Sequence, residues 1–319
     1  MKRLMFVVAA LCVGCTMGSD DAPNREDVSS EREPVQFYAV VERDASRTHI
    51  DAEKLTYWNE DDRITIFVGE TYRREFAFDG FTGDPEGGFD QVSVDKPFYS
   101  SYDLDANYAI YPHDAKNKLT NYNRQDPSQG GCFEATFPST QAYTPGSFAP
   151  GAFPMVAVTE DVDDGRLLFR NVGGCVCVSL YGTEQVVKSV TIRGNSGEPL
   201  AGRAKIEHKY GGVPTTTMQS QLSTSVSMTS SEGVTLGGSA AEATQFWLAI
   251  PPTTFESGFT IEISGYYGGT FTKSTTKRQV VGRNTFLMMP AFKVDIATSE
   301  TGMGVDGWGD GGGLEGDAE

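Results

Sequence analysis

The chain has few of the side chains that most catalytic and metal sites need. It contains 3 histidines and 5 cysteines among 319 residues, and the histidines His49, His113 and His208 are scattered along the sequence. Basic residues number 26 against 43 acidic residues, which gives a formal net charge of −17. A chain this anionic repels phosphate backbones, so we expect no nucleic-acid partner. The composition argues against an enzyme, and it indicates neither a cofactor nor a metal ion.

Long apolar runs are absent beyond the amino terminus, so no later segment has the pattern of a membrane-spanning helix. Residues 1–14 join a basic start to the short apolar run Leu4–Val13, which is the pattern of a secretory signal peptide. The run ends in a sequence that resembles a bacterial lipobox, with Cys12 where leucine is usual. We therefore predict that Cys15 becomes a lipidated amino-terminal residue, held on the outer membrane by its acyl chains. The alternative is an ordinary signal with incidental cysteines.

Two polar segments flank the rest of the chain. Residues 15–35 are too poor in apolar side chains to form a core, so we expect a flexible tether there. Its acidic pair Asp20-Asp21 resembles the surface-export signal of certain outer-membrane lipoproteins. Residues 298–319 are rich in glycine and acid, and we expect a solvated tail in which Trp308 either packs on its own domain or binds a partner.

The central part of the chain is punctuated by glycine and proline, which number 36 and 15 in the whole sequence. Such punctuation leaves little room for long helices. Short β-branched and aromatic runs, such as Gln36–Val41 and the alternating Phe259–Ser264, recur at a roughly ten-residue spacing. The pattern predicts an all-β chain of two antiparallel β-sandwich domains, residues 36–165 and 166–297.

Three segments of this central part are not predicted to be strands. The only stretch with helical character is residues 115–122. Thr140–Gly151 contains Pro145 and Pro150 and is predicted to be a loop, and no strand is assigned within the Ser/Thr-rich stretch Thr215–Ser231.

The chain beyond Cys15 keeps three cysteines, so at least one of them stays unpaired or pairs elsewhere. Cys175 and Cys177 are two residues apart in an apolar run and would point to one face of a strand, which disfavours a disulfide between them. We expect these two to pack in the core, with a thiol or metal site as the alternative. The state of Cys132 is left open.

Acidic pairs raise the question of glycoside hydrolysis or calcium binding. Three such pairs stand in predicted loops: Asp61-Asp62, Glu160-Asp161 and Asp163-Asp164. Adjacency in a loop does not place two carboxylates across a sugar, and the spacing is not that of an EF-hand, so we expect solvated turns. Aromatic side chains such as Tyr266-Tyr267 could stack on sugars, although strand and turn packing is the simpler interpretation.

The order of several motifs resembles the fimbrillin family of type V pilus subunits, in its lipoprotein branch. The matching segments are, in chain order, Phe37–Glu42, Tyr57–Phe67, Tyr108–Pro112, Phe137–Gln141, Pro154–Ala157, Leu168–Gly174, Pro251–Phe255, Arg283–Thr285 and Met289–Pro290. The sequence departs from the family pattern at Glu60-Asp61, where Gly-Asp is usual. It is the order of the segments along the chain that carries the resemblance.

The resemblance implies two tandem transthyretin-like β-sandwiches in a surface lipoprotein that serves adhesion. It also implies cleavage by an arginine-specific protease after the first strand, at Arg47 first and Arg43 second; the alternative for both is a solvated loop arginine. Loss of the strand would leave a groove that the carboxyl-terminal segment of a neighbour fills by β-strand addition. Residues 298–319 fit such a donor poorly, and Lys293–Ile296 more readily ends the second sandwich.

Two functional hypotheses follow. The first is a structural, tip or anchor component of a pilus, with other pilus subunits and the outer membrane as partners. The second is a monomeric surface lipoprotein that binds a carbohydrate or another host or bacterial surface ligand.

Overall fold

A computed structural model of the protein describes residues 36–42, 57–68, 72–93, 104–120 and 130–296. Within these ranges the regular structure is β-strand apart from a 3-10 turn at Ala240–Glu242, so the predicted all-β class is confirmed. No helix in the described ranges is long and apolar enough to cross a membrane.

The strands are short and follow one another closely. Those up to residue 171 are β1 (Phe37–Val41), β2 (Arg63–Phe67), β3 (Arg73–Phe78), β4 (Glu86–Gln91), β5 (Tyr108–Tyr111), β6 (Lys118–Thr120), β7 (Gly131–Phe137), β8 (Thr140–Ala142), β9 (Met155–Val158) and β10 (Arg166–Asn171). The later ones are β11 (Gly174–Tyr181), β12 (Val186–Gly194), β13 (Ala201–His208), β14 (Thr215–Ser223), β15 (Ser225–Thr235), β16 (Thr244–Ile250), β17 (Thr253–Phe255), β18 (Phe259–Gly265), β19 (Thr270–Ser274), β20 (Gln279–Val281), β21 (Phe286–Met288) and β22 (Phe292–Lys293).

Seven strands form a closed sheet in the order β1-β10-β9-β5-β2-β3-β4, with β4 returning to β1. The other sheets have the orders β14-β13-β7-β6, β19-β18-β12-β15-β8, β16-β11-β21 with β22 also on β11, and β17-β20. Strand pairs cross residue 165 at β1–β10, β9–β10, β7–β13 and β8–β15. The division of the chain into two domains at that residue stays a prediction.

Period-two alternation sets the faces of the strands in the later part of the chain. In β18 the side chains of Phe259, Ile261 and Ile263 are buried, whereas Glu262 is exposed. The buried apolar residues of the sheet that contains β18 share one hydrophobic core with one face of the sheet β16-β11-β21. Val294 and Ile296 belong to the same core, so the described segment after β22 packs in this part of the fold.

The closed sheet is filled by aromatic side chains around Trp58, which is fully buried. Its ring centroid lies 5.0 Å from Phe89, 5.4 Å from Phe169 and 5.5 Å from Tyr111. All three contacts are edge-to-face, the arrangement that the quadrupoles of aromatic rings favour. Trp58 therefore joins β4, β5 and β10 from the inside of the sheet.

No strand was predicted within the Ser/Thr-rich stretch Thr215–Ser231, but this stretch contains β14 and most of β15. In β15 the side chains of Val226 and Met228 are buried, and the hydroxyl of the intervening Ser227 lies 2.7 Å from that of Thr191 on β12. The apolar alternation is present but sparse, because small hydroxyl residues occupy the outward positions.

Three further local assignments were wrong. Residues 115–120 form a turn and β6 instead of a helix. The short run Gln91–Val94 predicts a strand, but the strand lies earlier, as β4. It includes Gly87, where an added Cβ would come within 2.7 Å of the Phe78 ring. In the predicted loop, Gln141 lies in β8 and bonds Ala249 of β16 through both ends of its amide, at 2.7 and 3.0 Å.

We predict that Trp58→Ala lowers the free energy of unfolding by about 3–5 kcal/mol, because it empties the centre of the aromatic cluster. Urea unfolding followed by circular dichroism measures the change. The control Tyr72→Ala removes a ring that is 67% exposed and should stay within about 0.5 kcal/mol of the parent. Equal losses in the two variants would contradict a central role for Trp58.

Candidate functional site

The first strand, β1, occupies a slot between β4 and β10. It runs antiparallel to β4, where Phe37 lies opposite Phe89, and parallel to β10. In that parallel pair Val41 lies opposite Phe169. The next strand of the chain, β2, pairs with β3 and β5. Both neighbours of β1 are thus remote in sequence, and β1 does not pair with the strand that follows it in the chain.

The inward side of β1 is apolar. Phe37, Ala39 and Val41 are 0%, 0% and 4% exposed, and they belong to the core that surrounds Trp58. The ring of Phe37 meets that of Phe76 edge-to-face at 5.2 Å between centroids. Burying a Phe or Val side chain stabilises the fold by about 1.5–3 kcal/mol, so the slot holds its strand largely through these contacts.

The outward side of β1 contributes less. The Tyr38 side chain is 43% exposed, and Gln36 donates a hydrogen bond of 2.8 Å to Asp90 at the surface. Exposed polar contacts of this kind add little to stability, because water competes for both partners. The outward side chains of a strand in this position therefore need few specific contacts.

Glu42, the residue after β1, carries a nearly buried carboxylate whose side chain is 8% exposed. Its Oε1 accepts hydrogen bonds from the backbone N–H of Asn171, at 2.7 Å, and from the guanidinium of Arg283. Its Oε2 lies 3.5 Å from Nη1 of Arg170. We call Glu42, Arg170, Asn171 and Arg283 the Glu42 clamp. The clamp ties the end of β1 to the end of β10 and to the turn between β20 and β21.

Arg283 of the clamp is fixed by further hydrogen bonds. It also donates to the backbone oxygen of Asn171 at 2.9 Å. The Asn171 side chain donates to Oδ1 of Asn284 at 2.7 Å, and the Asn284 backbone, with φ at 54°, donates to Gly173 at 2.7 Å. These bonds hold the β20–β21 turn against β10, so the positive charge of Arg283 does not depend on Glu42 alone for its position.

His208, at the end of β13, is a buried neighbour of the two arginines. It is 5% exposed, and its Nδ1 has no hydrogen-bond partner among the described residues. Burial, reinforced by the positive charges of Arg170 and Arg283, lowers the pKa of His208 to about 3. The imidazole is therefore neutral at physiological pH and does not oppose the two guanidinium charges.

The residues predicted for lipidation and cleavage, Cys15, Arg43 and Arg47, lie outside the described residues, as do the predicted tether and tail. Both assignments stay predictions. Arg43 follows Glu42 directly in the sequence, so either cleavage would separate the whole of β1 and the carboxylate of the clamp from the rest of the chain.

The cysteines beyond Cys15 are buried thiols. Cys175 and Cys177 pack with Trp247 in a small cluster, which confirms the prediction of core packing. Burial raises the pKa of Cys132, so that thiol is less readily ionised than an exposed one.

Asp62 was predicted to lie in a solvated turn, and this prediction was wrong. The residue is 7% exposed instead of solvated. Its Oδ1 accepts a hydrogen bond of 2.8 Å from the Tyr111 hydroxyl, and its Oδ2 accepts one of 2.8 Å from the backbone of Asn59. Burial raises the pKa of Asp62. The local signal is the Asn-x-x-Asp spacing, which lets the carboxylate close the turn before β2.

The other acidic pairs form a surface turn, as predicted. Oδ1 of Asp161 accepts hydrogen bonds of 2.9 Å from the backbone N–H groups of both Asp163 and Asp164. The carboxylate thus stabilises its own loop, and the pairs do not form two opposed carboxylates across a cleft.

The tyrosines considered for sugar stacking lie on the surface, Tyr266 at 40% and Tyr267 at 87% exposure. Their rings meet each other at an interplanar angle of 89°. Packing in the core therefore does not explain the exposed ring of Tyr267. The two perpendicular rings, however, offer no common plane on which the flat face of a sugar could stack.

No family model and no curated protein matches the sequence. Among solved structures, the chain is similar to a candidate cell adhesion protein from Bacteroides uniformis, with 13% identity, a TM-score of 0.47 and coverage of 83% of this chain and 94% of that one. It is also similar to a fimbrial protein from Bacteroides ovatus, with 14% identity, a TM-score of 0.30 and coverage of 75% and 46%. A fimbrial assembly protein from Parabacteroides distasonis shows 10% identity, a TM-score of 0.25 and coverage of 75% and 99%. The solved structures that this chain resembles thus include a candidate cell adhesion protein and fimbrial proteins.

We predict that Glu42→Gln lowers the free energy of unfolding by about 1.5–3 kcal/mol, the contribution of hydrogen bonds to a charged group. The variant keeps the shape of the side chain but leaves Arg170 and Arg283 without a negative partner. Chemical denaturation at pH 7 measures the loss. Glu86→Gln, an exposed position on β4, is the matched control and should change stability by less than about 0.5 kcal/mol. A Glu42→Gln protein as stable as this control would contradict the clamp.

We also predict a loss of stability in acid that depends on His208. An unfolded histidine titrates near pH 6.5, whereas the folded pKa is about 3, so the unfolded state binds the additional proton between these values. The free energy of unfolding is therefore highest above pH 6.5 and falls as the pH drops towards 3. Thermal or urea unfolding at pH 7 and pH 4.5 should show a smaller fall for His208→Gln than for the parent. Identical pH dependence in the two proteins would contradict the prediction.

Proposed function

We propose that the chain is a surface lipoprotein of the fimbrillin type, a structural, tip or anchor component of a pilus that assembles by β-strand exchange and serves adhesion. The observation that carries the proposal is the placement of β1. This strand has its two neighbours, β4 and β10, far along the chain, and the cleavage candidates Arg43 and Arg47 follow it directly. One cut would therefore free it as a unit.

Removal of β1 would create a binding site with two complementary parts. The facing edges of β4 and β10 would lose their hydrogen-bond partners, and such edges pair readily with another strand. Phe76 and the aromatic cluster around Trp58 would lose the cover of Phe37, Ala39 and Val41. A donor strand with inward apolar side chains at every second position would restore both the ladder and the core.

We propose the following roles for the remaining parts of the chain. Cys15 carries the lipid that anchors the protein on the outer surface of the outer membrane, and residues 15–35 are the tether. The two transthyretin-like sandwiches are residues 36–165 and 166–297, with strand pairs such as β7–β13 crossing between them. Other pilus subunits are the partners through strand exchange.

The competing candidate is a monomeric surface lipoprotein that keeps β1 and binds a surface ligand. The amino-terminal residue and intact mass of the protein taken from the cell surface separate the two. A start directly after Arg43 or Arg47 supports strand removal. Acylated Cys15 as the only amino terminus means that β1 is retained, which favours an anchor or the monomer, and an unlipidated start before Cys15 would overturn lipidation.

We predict that replacing both Arg43 and Arg47 by alanine abolishes assembly, because the slot stays filled by its own strand. The measurement is the SDS-resistant ladder in unboiled outer-membrane extracts. The control Arg193→Ala removes an exposed arginine of β12 and should leave the ladder intact. A normal ladder in the double variant would show that assembly does not depend on cleavage at these sites.

A further inference from the structure

We infer that the slot selects incoming strands by charge: a donor must bring a carboxylate, from Asp or Glu, to the position that Glu42 occupies. The preferred occupant is therefore a strand of another subunit in which three inward apolar side chains alternate with outward ones and an acidic residue follows the third directly. The inference rests on the proposed strand exchange, and it adds a selection rule that the apolar slot alone does not supply.

The rule follows from what is left behind when Glu42 leaves with β1. The side chains of Arg170 and Arg283 are only 22% and 21% exposed, and the N–H of Asn171 donates to Glu42. All three groups would then lack the acceptor that they have now. Partly buried positive charge without a counter-ion is unfavourable, so the empty slot would attract a negative group at this point.

Arg283 is held in place without Glu42. It is bonded to the backbone of Asn171, and the β20–β21 turn that carries it is bonded to β10 through Asn284. His208 beside the two arginines is neutral because its pKa is low, so it adds no charge of its own. A preorganised guanidinium binds a carboxylate better than a flexible one, because little side-chain freedom is lost on binding.

The register of the slot fixes where the acid must stand. β1 is parallel to β10, and the backbone N–H of Glu42 donates to the oxygen of Phe169 at 2.8 Å. Val41, the third inward residue, immediately precedes it. A carboxylate one residue earlier would point into the apolar core, because successive side chains of a strand alternate in direction. The acid therefore has to follow the third inward position.

A competition experiment on the full chain tests the rule. The protein is nicked after Arg43 or Arg47 with an arginine-specific protease. Its own first strand is then displaced by a large excess of an equimolar mixture of two synthetic peptides of residues 36–42, one with Glu42 and one with Glu42→Gln. Both peptides end in an amide, so that the side chain supplies the only carboxylate. Native mass spectrometry of the complex reports the ratio of bound peptides.

We expect the Glu42 peptide to be preferred by about tenfold to a hundredfold, the range for hydrogen bonds to a charged group. A Gln36→Ala peptide is the matched control, because its lost bond to Asp90 lies at the surface, and it should compete within about twofold of the parent. Equal binding of the Glu42 and Glu42→Gln peptides would overturn the rule while leaving strand exchange intact. Failure of the parent peptide to bind at all would instead overturn the proposed function, and with it the rule.

The same competition in nicked Arg283→Gln and Arg170→Gln proteins identifies the source of the preference. The selectivity for the acidic peptide should fall in each variant, because one of the two positive partners is gone. A preference that stays unchanged in both variants would overturn the assignment of the clamp as the selecting element. Because only a ratio between two peptides is compared within each protein, a general loss of stability in a variant does not imitate this result.

Discussion

The closed sheet depends on the pairing of β1 with β4 and β10. Every other strand of that sheet has partners that stay in place when β1 is absent, but only β1 joins its two ends. Without it the sheet has two edges, and the aromatic core around Trp58 is open on the side that Phe37, Ala39 and Val41 now cover. The closed sheet thus combines six strands, β2, β3, β4, β5, β9 and β10, with a single strand whose attachment is wholly non-covalent apart from the chain segment that follows Glu42.

Side-chain amides supply hydrogen bonds where strands are missing in several parts of the molecule. Gln141 bonds both backbone groups of Ala249, in the manner of a neighbouring strand. Asn107 donates to the backbone oxygens of Val162 and Asp164, at 3.1 and 2.9 Å, and thereby holds the loop before β10. The pair Asn171 and Asn284 does the same for the turn beside the Glu42 clamp. Buried backbone groups need partners, and these amides provide them where the sheets are irregular.

The fold class and many strands could be predicted from the sequence, because apolar alternation and glycine–proline punctuation are local signals. β1 and β18 were found in this way. β14 and β15 were not, since hydroxyl side chains outnumber the buried ones, and β4 was displaced because Gly87 is required by the close approach of Phe78 and not by a turn. The sheet order could not be predicted at all, since it depends on contacts between residues far apart in the chain.

The candidate site was predictable only in part. The first strand and the arginines after it were recognised through resemblance to a family and through composition. Glu42, Arg170 and Arg283 lie in segments that match the family pattern, but nothing in the sequence signals that they meet, because the three segments are far apart in the chain. The burial of Asp62 was missed for a similar reason. The adjacent Asp61 suggested a solvated turn, whereas the Tyr111 hydroxyl that bonds Asp62 lies on another strand.

The parallel pairing of β1 with β10 has a consequence for the order in which the chain folds. Phe37–Val41 is synthesised early, but it cannot enter its place until Arg166–Asn171 has been made and the strands between them have formed. Closing so long a loop is entropically unfavourable, and pairings this remote in sequence form late. Within the closed sheet, the strand that is synthesised first is therefore the last to be enclosed. Until β1 pairs with β10, its three apolar side chains are available to any other chain nearby.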